Sequence, residues 1–158
     1  VGTITVAKLW MRPIGATAAG FLADRFSREK VLSLLLCSSS LTLASLTLLS
    51  TQVRPIILIG FILTIGILTY GIRGVFWSIL ESCDVDDRIK GLALGLLSFL
   101  GFAPDFYQPL ISGKFLEIFP GRAGYDFYYL SIAGMGFVGM LAGLRLSYLV
   151  KKNQRFSN

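Results

Sequence analysis

Apolar residues along this chain come in long unbroken runs, and the charges gather between them. Residues 31–53 form 23 positions without a charge, 55–72 form 18, and 127–144 form 18. The hydrocarbon core of a bilayer takes about 20 apolar residues per helix. Backbone groups in lipid must be satisfied within the protein, which leaves helices or a closed barrel. Runs that are continuous rather than alternating select helices. Five spans are therefore predicted, at 1–23, 31–50, 55–80, 91–113 and 126–150. Their links, 24–30, 51–54, 81–90 and 114–125, are short, as between antiparallel neighbours. The expected fold is an all-α membrane protein. It is a polytopic helical bundle of about five transmembrane helices over 1–150, with 151–158 as a cytoplasmic tail.

Composition agrees. Of the 158 residues, 54% are hydrophobic and only 15% are charged, where a soluble domain carries about a quarter. Histidine is absent, which removes the commonest metal ligand and general base. No phosphate-cradling loop or nucleophile elbow is present. No cofactor, metal site or enzymatic role is expected on these grounds. The two cysteines, Cys37 and Cys83, suggest no disulfide framework. A net charge of +6 does not imply nucleic acid, because the basic residues sit at helix ends, where membrane topology is set. Arg25, Arg28, Lys30, Arg88, Lys90, Lys151, Lys152 and Arg155 fall on one side, and Arg54, Lys114 and Arg122 on the other. Eight against three puts the 24–30 link and the C-terminus in the cytoplasm of a multi-pass cell-membrane protein. The chain starts at Val1, directly in an apolar stretch, and is expected to be the C-terminal part of a longer one, truncated at its N-terminus.

Charges inside the spans are unevenly spread. Span one carries Lys8 and Arg12, span three Arg73, span four Asp105, span two none, and span five only Arg145 near its end. A charge in lipid is costly, so spans one, three and four are expected to line a cavity, and two and five to face lipid. Lys8 and Arg12, four apart, share a helix face, as an anion-binding surface or as part of a structural ion pair. Lys8 lies fifteen residues from Ala23 and Asp105 fourteen from Gly91, roughly 22 and 21 Å from the same membrane face. Level spans would make them partners; otherwise Asp105 is a candidate proton or cation site. Arg73, nearer the cytoplasm, suits substrate, Glu81 or an inner gate. Pro104 and Pro109 interrupt span four, as a kink or as the broken helix of a binding site; Pro13, beside Arg12, leaves the same two readings. Tyr70, Phe76, Trp77, Phe106 and Tyr107 are aromatics near these charges, suited to stacking on a substrate or to packing. Gly91 with Gly95 and Gly139 with Gly143 form small-xxx-small pairs that permit close helix packing.

The 20–32 stretch reads GFLADRFSREKVL. Gly20, Asp24, Arg25, Arg28 and Lys30 fall at the spacing of the cytoplasmic loop signature of the major facilitator superfamily, with Ser27 where that pattern has glycine. The chain resembles that family here, and its five spans resemble helices eight to twelve of the twelve-helix plan. Arg73-Gly74-Val75-Phe76-Trp77 with Glu81, and Gly101-Phe102-Ala103-Pro104-Asp105, look like stretches in bacterial members related to organophosphate or nitrate carriers. The resemblance implies a secondary transporter working by alternating access, with the loop charges as a cytoplasmic gate. It also implies a small solute, a coupling proton or cation, and an N-terminal half missing from this chain. Lys8, Arg12, Arg73, Asp105 and Tyr107 are the candidate cavity residues. Their cation excess favours an anionic or organic-acid substrate. The alternative is a membrane-embedded scaffold or enzyme subunit without a transport role.

Overall fold

A computed structural model describes residues 2–49, 54–83 and 85–156, with the side chains of 2–5, 7–9, 81–82 and 153–156 outside the description. Five helices account for nearly all of it: α1 (Gly2–Arg25), α2 (Arg28–Leu48), α3 (Pro55–Ser82), α4 (Asp87–Ile118) and α5 (Arg122–Phe156). Four of them, α2 to α5, are long and apolar enough to cross a membrane. That count covers the described residues only, and the side chains in much of the first half of α1 lie outside them.

The helices extend further than the apolar runs. The α1–α2 link is only Phe26 and Ser27, so Asp24 and Arg25 close α1, while Arg28 and Lys30 open α2. Ser27 starts α2 through its backbone carbonyl, which accepts from Lys30 N and Val31 N, both at 3.0 Å. The expected tail is likewise helical, since α5 continues to Phe156. Charged residues with good helix propensity carry a helix on beyond the hydrocarbon, and hydropathy alone does not see this. Local chemistry fixes the remaining ends. Pro55 opens α3, where a missing N–H costs nothing. Asp86 caps α4 by accepting from Arg88 N at 3.0 Å. Gly121 turns the chain between α4 and α5 at φ 82°, a conformation cheap only for glycine.

Side by side, the helices run α1, α3, α2, α5, α4, with α2 packed on α5, α3 and, lightly, α1. This corrects the expectation that span two faces lipid. Within the bundle α2 carries the most buried residues, among them Val31, Leu32, Ser33, Leu35, Ser40 and Leu43. Lack of charge does not decide a helix's position; small-residue seams do. One seam joins α2 to α5. Added Cβ atoms at Gly136 and Gly143 would meet the Ser40 and Ser33 hydroxyls, and one at Gly139 would lie 3.4 Å from Leu36. Both serines are satisfied in place, donating to Leu36 O at 2.9 Å and Glu29 O at 2.8 Å. The other seam joins α1 to α3: a Cβ at Gly15 would sit 2.7 Å from Ile67 O, and one at Gly71 3.1 Å from Ala19 Cβ. Such close approach drives helix association in lipid, where apolar transfer gains little. Gly91 and Gly95, expected to pack likewise, face open space.

Where α1, α2 and α3 meet, Ala19, Ala23, Val31, Leu32, Leu35, Val75 and Ile79 form the buried core. The opposite edge of the bundle is α4. It contains no buried residue and presents Leu92, Phe99, Leu100 and Phe106 outward.

Candidate functional site

Apolar α3 and α4 have little backbone contact, yet side chains join them halfway along. Arg73 Nη2 donates to both carboxylate oxygens of Asp105 at 2.8 Å. A row of aromatic rings leads away from Arg73. The Arg73 guanidinium lies 5.8 Å from the Phe102 ring centre, Trp77 stands 5.9 Å from Phe102, and Phe76 meets Trp77 edge-on at 5.5 Å. Gly101 makes room for this: a Cβ there would come within 2.9 Å of Phe76 Cε1. The ion pair is not sealed, with 42% of the Arg73 side chain and 57% of Asp105 exposed.

Asp105 is thus partnered by Arg73; the expected Lys8–Asp105 pairing falls on a side chain outside the described residues. Arg73 stands nine residues from Ser82 and Asp105 eighteen from Asp87, about 13 and 27 Å along their helices. The two helices are thus offset at that end by most of the difference, less the reach of the arginine. With 32 residues, α4 is about 48 Å long, too long for a hydrocarbon core of about 30 Å without tilt or overhang. The Lys8 side chain itself lies outside the described residues, as does that of Glu81.

Arg12 is exposed on α1 and stacks over the Tyr70 ring of α3 at 5.2 Å, a cation–π contact. Tyr70 and Arg73 are one turn apart on α3, so Arg12 and the ion pair stand on adjoining faces, about 4.5 Å apart in height. Tyr107 does not join them. Two residues beyond Asp105 on a continuous helix, it projects about 200° round the axis. Pro104 and Pro109 do not break α4, but Pro109 takes away the amide that would bond to the Asp105 carbonyl. Tyr128 of α5 donates to Gln108 of α4 at 3.3 Å. A lone glutamine inside an apolar span was the available sign of that contact.

At the end holding the 24–30 link, a polar cleft of about 390 Å³ is lined by Asp24, Ser27, Glu29, Lys30, Ser147 and Lys151, with Arg28. Arg28 also donates to Ser78 O at 3.1 Å, tying α2 to α3. Glu29 is buried beside it. Asp24, Arg25 and Lys30 are exposed, and Gly20 has open space around its Cα. The Cys83 thiol, at the C-terminal end of α3, is pushed up from its ordinary range by burial and, to a lesser degree, by the Glu29 carboxylate. At the other end Arg122 donates to the Leu49 carbonyl and lies 3.5 Å from Asp126. Its positive charge there closes the C-terminus of α2, a role the sequence pattern did not suggest.

Two Escherichia coli (strain K12) proteins are similar to the chain. The inner membrane protein YihN is 25% identical over 149 residues, covering 92% of this chain and 35% of YihN. The inner membrane protein YqcE is 27% identical over 114 residues, covering 71% of this chain and 27% of YqcE. The chain thus spans about a third of the length of these relatives. No family model matches it, and no solved structure does. Inner-membrane relatives and four membrane-length apolar helices together make this a multi-pass membrane protein.

Proposed function

We propose that the chain is the C-terminal part of a secondary transporter of the major facilitator type, carrying a small anionic solute by alternating access. The observation that carries this reading is the Arg73–Asp105 pair. An ion pair between two apolar, membrane-length helices is expensive unless it faces water or a partner, and this one remains half open. Such residues in spans ordinarily mark a solute or ion path. Arg12 on the adjoining face adds positive charge, so the exposed groups sum in favour of an anion. The loop spacing of Gly20, Asp24, Arg25, Arg28 and Lys30 supports the transporter type. In this reading that loop, with Lys151 across the cleft, is a gate on the cytoplasmic side, and the missing N-terminal half completes the path.

Transport is tested with the complete protein in proteoliposomes on a solid-supported membrane. Glycerol 3-phosphate, succinate and benzoate are applied, against neutral glucose and cationic choline. Currents with at least one anion, absent with glucose and choline, are expected. Silence with all three anions would rule the reading out. Orientation is tested by cysteines placed at Ser27 and Gln154, in a background lacking Cys37 and Cys83. Both should label from the cytoplasmic side only.

A further inference from the structure

Independently of the transport reading, we infer that the open groove between α2 and α3, at the end of the bundle opposite the α1–α2 link, holds one acyl chain of an anionic phospholipid whose phosphate sits on Arg54. At the link end α2 and α3 close on the buried core; at the other end they part, leaving a groove of about 650 Å³. Leu41 of α2 and Ile57 and Phe61 of α3 form its apolar walls. Three hydroxyls also line it, and each is already satisfied on its own helix. Thr42 donates to Ser38 O at 2.7 Å, Ser45 to Thr42 O at 2.8 Å and Thr64 to Gly60 O at 2.8 Å. The groove therefore offers hydrocarbon contact and no free hydroxyl hydrogen for a polar solute. A Cβ at Gly60 would meet nothing within 4 Å, so this glycine, unlike those in the seams, widens a space rather than closing one.

Depth and charge identify the occupant. The α3 positions that line the groove recur three and four apart on one helix face, and Arg54 stands one turn before the first of them. From Arg54 to Thr64 is ten residues, about 15 Å along the axis, or half a hydrocarbon core of about 30 Å. The groove thus lies within one leaflet. A void there does not stay empty, because its lining would forfeit its contacts, and the molecules at that depth are lipid chains. Arg54 decides which lipid. It directly precedes Pro55, where the apolar span begins, so its guanidinium reaches the headgroup level. Arg54 is exposed and makes no ion pair among the described residues, while Arg122 at the same end is engaged by the Leu49 carbonyl and Asp126. A guanidinium matches a phosphate with two parallel N–H groups, and a headgroup without an ammonium of its own leaves that phosphate uncompensated. Phosphatidylglycerol meets this description and phosphatidylcholine does not.

The test uses the full-length protein in nanodiscs with a trace of phosphatidylglycerol that carries a diazirine on one acyl chain, the adducts being mapped by peptide mass spectrometry. Adducts are expected on Leu41, Ile57 or Phe61. Unlabelled phosphatidylglycerol should suppress them about fivefold better than phosphatidylcholine at the same mole fraction, the preference that one basic residue gives near a membrane surface. Arg54→Gln should abolish that preference; Arg54 caps α3 without a side-chain hydrogen bond, so the helix start is kept. Gly60→Leu puts a side chain into the open groove and should remove the adducts, while Gly95→Leu, in open space on α4, should leave them. Absence of adducts at these positions in wild type overturns the inference and would mean that another part of the complete protein covers the groove. Adducts suppressed equally by the two lipids would mark an unselective boundary lipid and overturn it too. So would a preference that survives Arg54→Gln, or adducts unchanged in Gly60→Leu. If Gly60→Leu does not fold, the comparison of the two lipids on wild type and Arg54→Gln decides. The transport reading stands or falls separately, on its currents.

Discussion

The two sides of this bundle are held in opposite ways. Across the α1–α3 and α2–α5 seams, glycine, alanine and serine bring backbones close: Gly71 to Ala19, Gly15 to Ile67, Gly136 to Ser40. Between α3 and α4 the backbones stay apart, and long side chains span the gap: Arg73 to Asp105, and Trp77 to Phe102. A small-residue seam has one geometry and resists movement, because nothing in it can change rotamer to follow a shift. A contact made through an arginine fork and stacked rings can be made, broken and remade. The comparison teaches where the bundle is tightest: α1, α3, α2 and α5 are joined by close seams, while α4 is held to α3 by side chains and to α5 by lighter packing that includes Tyr128 on Gln108.

The largest effect that would break this comparison is a bulky residue in a seam. Gly15→Leu places side-chain atoms where the Ile67 carbonyl leaves no room for even a Cβ. Overpacking of this kind costs about 1–3 kcal/mol, so the Gly15→Leu protein should be recovered folded in much lower yield. Gly95→Leu, in open space on α4, should match wild type. Equal losses at both sites, measured by size-exclusion chromatography with a fluorescent fusion, would erase the distinction between tight seams and open edge.

Next in size is the link itself. Arg73→Gln and Asp105→Asn each leave a charge without its partner, which is the costly case. The double variant should recover part of the loss, with a coupling of about 1 kcal/mol, as for partly exposed pairs and for polar contacts in membranes. Thermal unfolding of the four proteins measures it. A coupling indistinguishable from zero would mean that the stacked rings alone hold α4.

The same contrast explains what could be read in advance. Three helices, α2, α3 and α5, were legible in the uncharged runs, and α1 and α4 in apolar stretches broken by Lys8, Arg12 and Asp105. Their ends were not: α4 begins at Asp87 and α5 at Arg122, inside stretches whose charges looked like links. The Gly139 and Gly143 seam was legible as packing. Gly91 with Gly95 has identical spacing and faces nothing, so the spacing permits a seam without choosing one. Asp105 was legible as a residue needing company, but its partner was not. Helix offset decides which residues stand level, and no periodicity in the chain encodes offset.

A smaller effect is expected at the α1–α2 loop. Asp24 is exposed and makes no ion pair among the described residues, so Asp24→Asn should leave insertion and folding within about 0.5 kcal/mol of wild type. Turnover should nevertheless fall if Asp24 meets a partner in another conformation, as the gate reading requires. Wild-type transport rates over a range of substrate concentrations would remove Asp24 from the gate.

The smallest effect sharpens the frame at its loop end, where the Glu29 charge of α2 acts on the Cys83 thiol at the end of α3. Only the thiolate reacts with a maleimide or iodoacetamide. Burial and, second, the Glu29 charge hold the Cys83 thiol above its ordinary range, so little thiolate is present at neutral pH. Glu29→Gln removes the second cause and leaves the first. The thiol should then ionise at lower pH, and labelling in a Cys37→Ala background should quicken at neutral pH by a modest factor. The sign reverses nothing at high pH: once both proteins are fully ionised, their rates should converge. If the two rate–pH curves superimpose, the Glu29 charge does not reach Cys83. If the Glu29→Gln curve lies higher by a constant factor at every pH, the substitution has opened the packing between α2 and α3 instead, and this end of the frame is looser than its buried carboxylate implies.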